Sequence, residues 1–582
     1  TESTRAELFE SLMACNELYT GLIDISYFYK SFEEKDYFVD TLDYDYTTAL
    51  IVAAEEGIAN FIQPLLDSGA DINMKSNYGS NSTALMAAAG AGHNDVVSTL
   101  LDRGADINMR DIKNQTALMY AALGGHDSIV SSLLASEADI EAQDEDGATA
   151  LLLAASKAHT DIVITLLTHG ADINSQNNEG KTALTNFWNA FGMGIDGLET
   201  TAAELIRKGA DVNVQDNYGM TALILAAFGG NSNIVTKLIE NGADIDTKDY
   251  HGNTALMWAV HKAHVPIAEY LIMEGANITL RNNQGEALLM MAADSGMKDL
   301  VSSLVLKGGE VNAQGDDGTT ALMRASNGET WEHKEIVDIL IANGADVNLR
   351  ESGGGTALIY AAGLNTEIVS ALIKAEADVN ALNEYKSGAL NQATQFGKKR
   401  QGSILVENGA NVTIKDLAGK TALMIAATNG YHNVIPILLQ KGADINARGH
   451  DGSTAVFHAA GAGHDETVSF LLQHGADVNA QNNEGITVLM QTVRDHIIFT
   501  RNYLDIVPIL MAGGADVNLK DNVGRTALDL TSDPTMISLL NGLNRIRVPD
   551  IAYGSSSTLN IPCIKFGIML CLAVLINLLV MG

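Results

Sequence analysis

Residues 116–148 read TALMYAALGGHDSIVSSLLASEADIEAQDEDGA, and this stretch contains the plan of most of the chain. Leu118, Met119, Ala121 and Ala122 fall at helical spacing, and Gly124 and Gly125 behind them end a short first helix. Ile129, Val130, Leu133 and Leu134 supply the apolar face of a second helix. A polar stretch then closes the unit. It is seen best as Gly104-Ala105-Asp106-Ile107-Asn108 and Gly442-Ala443-Asp444-Ile445-Asn446. There Gly adopts the left-handed conformation at a helix end, and Asp and Asn bond their own backbone in a tight turn. The predicted unit is helix, turn, helix, protruding turn.

The unit recurs. Its opening Thr-Ala-Leu returns in 33-residue steps from Thr83 through Thr116 and Thr149 to Thr182. It also begins at Thr48, Thr221, Thr254, Thr320, Thr356, Thr421 and Thr526, and in close variants at Thr454 and Thr487, with blurred copies at Ala287 and Gly388. A fixed period of this length marks a solenoid, in which each unit is too small to bury its own apolar face and must stack on its neighbours. Four elements coincide in order in most copies: Thr-Ala-Leu, Ala-Ala, Gly-His and Gly-Ala-Asp-x-Asn. Over residues 39–546 this pattern resembles the ankyrin repeat, whose signature includes T-P-L-H-x-A. The resemblance implies an all-α, ankyrin-type solenoid of stacked helix-turn-helix repeats with protruding β-turns. One departure is systematic, because Pro-Leu-His is here Ala-Leu followed by Met, Ile, Leu or Phe. In the family that His joins neighbouring repeats by hydrogen bonds, so those bonds are not expected here.

Met86, Met119, Met257, Met290, Met323, Met424 and Met490 fill that slot. A Met stripe can serve as a pliable binding surface, but periodic apolar positions face a core, and core packing is the expectation. The His residues that close the inter-helix turn, His93, His126, His159, His264 and His464, occupy one repeated site. They are therefore read as structural rather than catalytic or metal-binding.

At 582 residues the chain exceeds the size at which one hydrophobic core stops growing, a limit that a solenoid escapes by adding core repeat by repeat. Its three Cys, Cys15, Cys563 and Cys571, form no disulfide framework and no metal-ligand spacing, which favours a reducing compartment. With 71 acidic and 36 basic residues the net charge is −35. Nucleic acid is not an expected partner, since phosphate binding needs a basic face. The acidic surplus would steer basic segments of other proteins toward the chain.

Both ends depart from the period. Residues 1–38 read as a degenerate capping repeat, because terminal units must cover an exposed apolar face. Thr1 is preceded by no Met and followed by no apolar signal segment, which suggests an incomplete start. Residues 547–563 read as a linker. Residues 564–582 contain FGIMLCLAVLINLLVM, which spans roughly 24 Å as a helix, and Ile564 with a snorkelling Lys565 closes most of the gap to the hydrocarbon core. The expectation is a single C-terminal hydrophobic helix acting as a tail anchor, with the repeats on the cytosolic side; Arg545, Arg547 and Lys565 fit the positive-inside bias. Cys563 and Cys571 could carry palmitate. A lipid-anchor signal has the same order of parts but needs a secretory signal. A helix packed on the solenoid conflicts with a run that is apolar all round.

No catalytic set is legible and no cofactor is expected. Gly180-Lys181-Thr182 and Gly419-Lys420-Thr421 mimic the end of a phosphate loop, yet the first Gly it requires is Ser175 in one case and Ile414 in the other. His261 and His264 have metal-compatible spacing but no further clustered ligand. Three copies carry insertions between their helices, and insertions collect on one face, often the binding face, where aromatic and Arg anchors dominate interface energy. The first places Phe187, Trp188 and Phe191, the second Trp331, and the third, 494–503, Arg494 and Arg501. The family resemblance implies a groove formed by first helices and protruding turns. By position it selects Tyr78, Asn217, Tyr218, Tyr250, His251 and Tyr385 on turns, and Phe228 and Leu364 after the Ala-Ala pair. The leading expectation is a non-catalytic interaction scaffold tethered to a membrane. The alternatives are a secreted, host-directed effector and the regulatory part of a larger enzyme.

Overall fold

The computed structural model describes residues 48–76, 81–186, 197–496 and 503–543. The expected cap 1–38, linker 547–563 and hydrophobic helix 564–582 lie outside them. The described residues belong to two compact units, one ending at Asn411 and the other beginning at Val412. Each repeats the predicted helix pair. Among the described residues regular structure is helical, and β-pairing is confined to isolated bridges such as Arg281 with Ala287 and Gln481 with Thr487.

In the repeat that opens at Thr116, the first helix is Ala117–Gly124 and the second Asp127–Ala135. Helices this short are marginal in water, so each depends on packing for its existence. Leu118, Met119, Ala121, Ala122, Ile129, Val130 and Leu133 are buried, and Leu134 is half-buried. First helices pack on neighbouring first helices and second on second, so the core is continuous within each unit.

The seven Met side chains of the stripe are all buried. Several also help cap the helix they sit on. Thr116 Oγ1 accepts the Met119 N–H at 3.4 Å, while the Thr116 N–H donates to Met119 Sδ at 3.5 Å; Thr83 with Met86 and Thr487 with Met490 repeat the reciprocal pair. The thioether thus accepts a hydrogen bond within its own repeat, and repeats are joined at other places.

Three such joints recur. In Gly-Ala-Asp-x-Asn, Asp106 Oδ1 accepts the Asn108 N–H at 3.0 Å, and Asn108 Oδ1 accepts the Asp139 N–H of the next repeat at 2.9 Å. The same step links Asn73 to Asp106 and Asn446 to Asp477. At the turn tips, the N–H of one repeat donates to a carbonyl of the repeat before, as Glu145 to Lys113 at 2.8 Å. The third joint is made by the repeated His. His126 Nε2 bonds Gly90 O at 3.0 Å, His159 bonds Leu123 O at 3.2 Å and His464 bonds Thr428 O at 3.1 Å. The structural reading of these histidines is what the geometry shows.

The insertion before Trp331 lengthens the second helix to Trp331–Ala342, 12 residues where Asp127–Ala135 has nine. His333 still reaches Asp294 O, at 3.2 Å, from inside the longer helix. The added turn therefore leaves the joint intact and displaces only what precedes it.

The His joint also constrains its neighbour. Gly92 has φ +87°, and a Cβ on it would stand 2.5 Å from the His126 ring; Gly104 has φ +81° and nothing within 4 Å. Gly92→Ala is therefore expected to destabilise the surrounding repeats by about 2–3 kcal/mol and Gly104→Ala by about 1 kcal/mol. Urea unfolding combined with hydrogen exchange over residues 84–135 checks this, and equal losses would show that the ring contact contributes nothing.

Candidate functional site

Most protruding turns are built around one acidic or amide side chain. Asp111 Oδ1 accepts the N–H groups of Lys113 and Gln115 at 2.8 and 2.6 Å, and Asp249 Oδ1 those of His251 and Asn253 at 2.9 and 2.8 Å. The second carboxylate oxygen reaches the first helix nine residues on. Asp111 Oδ2 accepts from Tyr120 Oη at 2.9 Å, and Asp249 Oδ2 from Trp258 Nε1 at 2.8 Å. One buried carboxylate thus shapes the tip and fixes the side chain at the base of the face beside it.

That side chain occupies a row. Tyr120, Trp258, Arg324 and Tyr360 hold equivalent positions in the first unit, and His458 and Gln491 in the second; all are half-buried in helices whose other positions are largely core. Trp258 is a groove residue that the sequence reading did not select. The signal was present, because this slot varies in character from copy to copy while the position before it is Met, Ile, Leu or Phe in most copies.

Around Trp258 the first unit gathers aromatics. The Phe228 ring meets Trp258 edge-on at 5.0 Å and lies 4.5 Å below Lys262 Nζ, a cation–π distance, and His261 meets the indole at 5.6 Å. His264 fixes the Phe228 backbone through its carbonyl at 3.1 Å. At the turn tips, Tyr250 N–H donates to Tyr218 O at 3.0 Å, so two adjacent tips carry tyrosines 61% and 68% exposed. His251 is exposed beside them, and Tyr385 is exposed further along. Asn217 donates from Nδ2 to Asn178 O at 2.9 Å and so serves the row of tips.

Trp331 does not join this group. It follows a first helix, whereas the tips precede one, so it lies at the inter-helix end of its repeat. It is 65% exposed, with Lys298 Nζ 5.8 Å from its ring and held by Glu335 at 3.1 Å. It is an outward aromatic rather than one tucked into the core. Tyr78, Phe187, Trp188, Phe191, Arg501, Cys563 and Cys571 lie outside the described residues.

In the second unit Arg494 lines a polar cleft of about 420 Å³ with Asp451, His458, Asn482 and Gln491. Burial, followed by repulsion from Lys420, pushes the His458 imidazole down from 6.5 to about 4, against the pull of Asp451 and Asp416. Its Nε2 is buried without a hydrogen-bond partner among the described residues.

A family model for ankyrin repeats, three copies to the model, matches residues 12–111, 50–144, 118–186, 195–282, 289–383, 365–449 and 447–521. The chain belongs to the ankyrin repeat family. Ankyrin repeats are a protein–protein interaction module. No curated protein matches the chain.

His458 gives the second unit a pH dependence. The unfolded chain takes up a proton near pH 6.5 that the folded chain refuses until about pH 4, so stability falls as pH drops through that window. Between pH 7 and 5 the loss is expected to be about 2 kcal/mol. His458→Gln should flatten the slope in urea unfolding followed locally by hydrogen exchange. An unchanged slope would show that this imidazole is not the group responsible.

Proposed function

We propose that the chain is a non-catalytic scaffold whose ankyrin repeats hold another protein along the turn tips and first-helix face of the first unit. The observation that carries this reading is the exposed pair Tyr218 and Tyr250 on adjacent tips, continuous with the Phe228 and Trp258 cluster. Large aromatics on rigid backbone are what interface anchors require, since they bury much area at little entropic cost. Acidic surplus over the whole chain favours partners with basic segments. Residues 564–582 serve as a membrane anchor in this reading. Their support is the uninterrupted apolar run, while among the described residues no helix is long and apolar enough to cross a membrane.

A photo-crosslinking residue at Tyr250 is expected to capture another protein, and one at Lys237, exposed on a second helix, is not. Equal yields at the two positions would dispose of the binding face. For the anchor, tagged chain should sediment with membranes, and the same chain lacking 564–582 should remain in the supernatant. Identical fractionation of the two forms would remove the tether and leave the face untouched.

A further inference from the structure

The turn tips from residue 145 to residue 317 are one stretch of a longer row, which the Glu145 N–H continues to Lys113 O at 2.8 Å and the Ser352 N–H to Asp317 O at 2.7 Å. Asn178 N–H donates to Asp146 O, Asn217 to Glu179, Tyr250 to Tyr218, Asn283 to His251 and Asp316 to Gln284, at 2.8 to 3.0 Å. Along this stretch side-chain character follows a symmetric order. At one end of this stretch lie Glu145 and Asp146, on its two central tips Tyr218 and Tyr250, and at its other end Asp316 and Asp317, all exposed. Lys181 is engaged by Glu179 at 2.6 Å, and Arg324 by Glu286 at 2.9 Å and more loosely by Asp317 at 3.9 Å. Among the described residues no Lys, Arg or His pairs with Glu145, Asp146 or Asp316. A central aromatic platform with Glu145 and Asp146 unpaired on one side and Asp316 unpaired on the other fits neither nucleic acid nor a second copy of this acidic chain.

We infer that the row receives an extended basic segment of another protein, its large apolar side chain lying on Tyr218 and Tyr250 and its Lys or Arg residues reaching the carboxylates at both ends. This rests on the reading of the tips as a binding face and adds the chemistry and spacing of what binds. Packed neighbouring helices stand 8–10 Å apart, so five repeat steps cover roughly 40–50 Å. An extended chain advances about 3.3 Å per residue, so the segment has about 12 to 15 residues between its basic ends. The apolar anchor falls near its middle.

The test uses the full chain and synthetic peptides of 15 residues that share a central Trp-Leu pair. One has Lys and Arg at both ends, one at a single end, one has Glu at both ends and one has Ser. The doubly basic peptide is expected to bind at least about tenfold more tightly than the others, and to weaken as salt shortens the Debye length. Each exposed ion pair is worth about two- to threefold in affinity, so Glu145→Gln, Asp146→Asn, Asp316→Asn and Asp317→Asn together should weaken that peptide about 30-fold. These amides retain the acceptor that Asp317 offers the Thr319 N–H, and circular dichroism verifies that the variant is folded. Tyr218→Ser with Tyr250→Ser should abolish binding. If the Ser peptide binds as tightly as the basic one and only the tyrosine variant loses it, the basic-segment inference falls while the binding face stands. Equal binding of the singly and doubly basic peptides would overturn the spacing. Binding indifferent to the four amides, or no peptide binding at all, would overturn the inference outright.

Discussion

A helix of a dozen residues or fewer does not persist alone in water, and every described repeat is built from helices no longer than that. The whole architecture therefore hangs on what passes between one repeat and the next. Apolar burial supplies the driving force, but it is non-directional. Register comes from polar joints: the Asn side chain that accepts the next Asp N–H, the tip N–H that bonds the preceding carbonyl, and the His that reaches back to the end of the previous first helix. Their positions at three heights of the repeat resist both sliding and tilting of one helix pair on another.

This arrangement decides which residues are available for binding. Core and joint positions are committed by packing and cannot vary in kind without loss. What remains are the tips and the half-buried slot that first helices such as Ala255–His261 present, tied together by carboxylates such as Asp249. Because Asp249 holds both its turn and the Trp258 indole, the aromatic face around Phe228 is coupled to the shape of the Tyr250 tip. Binding chemistry is thus presented on a scaffold whose backbone does not have to reorganise.

Much of this was legible in the sequence. The helix pair, the Asp-x-Asn turn and the burial of the Met stripe follow from period and side-chain chemistry, and Tyr218 and Tyr250 follow from family position. Trp258 was not found, because the sequence reading sought groove residues on the turns and after the Ala-Ala pair and made no assignment for the fourth position of the first helix. The bond from Asp249 that turns the indole toward the face has no signature in a single copy. It becomes visible only by comparing copies, since Asp111 and Tyr120 repeat the same nine-residue relation. Trp331 was recognised as exceptional, but that its insertion would extend a helix, with His333 retaining its joint, depended on packing against Gly296 and Asp294 that lie a repeat away.

The coupling of Gly to the following His makes the repeats a directional language rather than a set of identical beads. Wherever a repeat carries His at this site, the one before it carries Gly, as Gly92 before His126 and Gly230 before His264. Where the next repeat lacks the His, Ala is tolerated even at positive φ, as at Ala158 before Gly197 and Ala263 before Met297. Loss or duplication of a repeat would therefore be accepted only at junctions whose two sides agree. Recombination between copies would be filtered by this rule before any partner was met, which ties the order of the repeats, and with it the order of chemistry along the tips, to steric compatibility inside the stack.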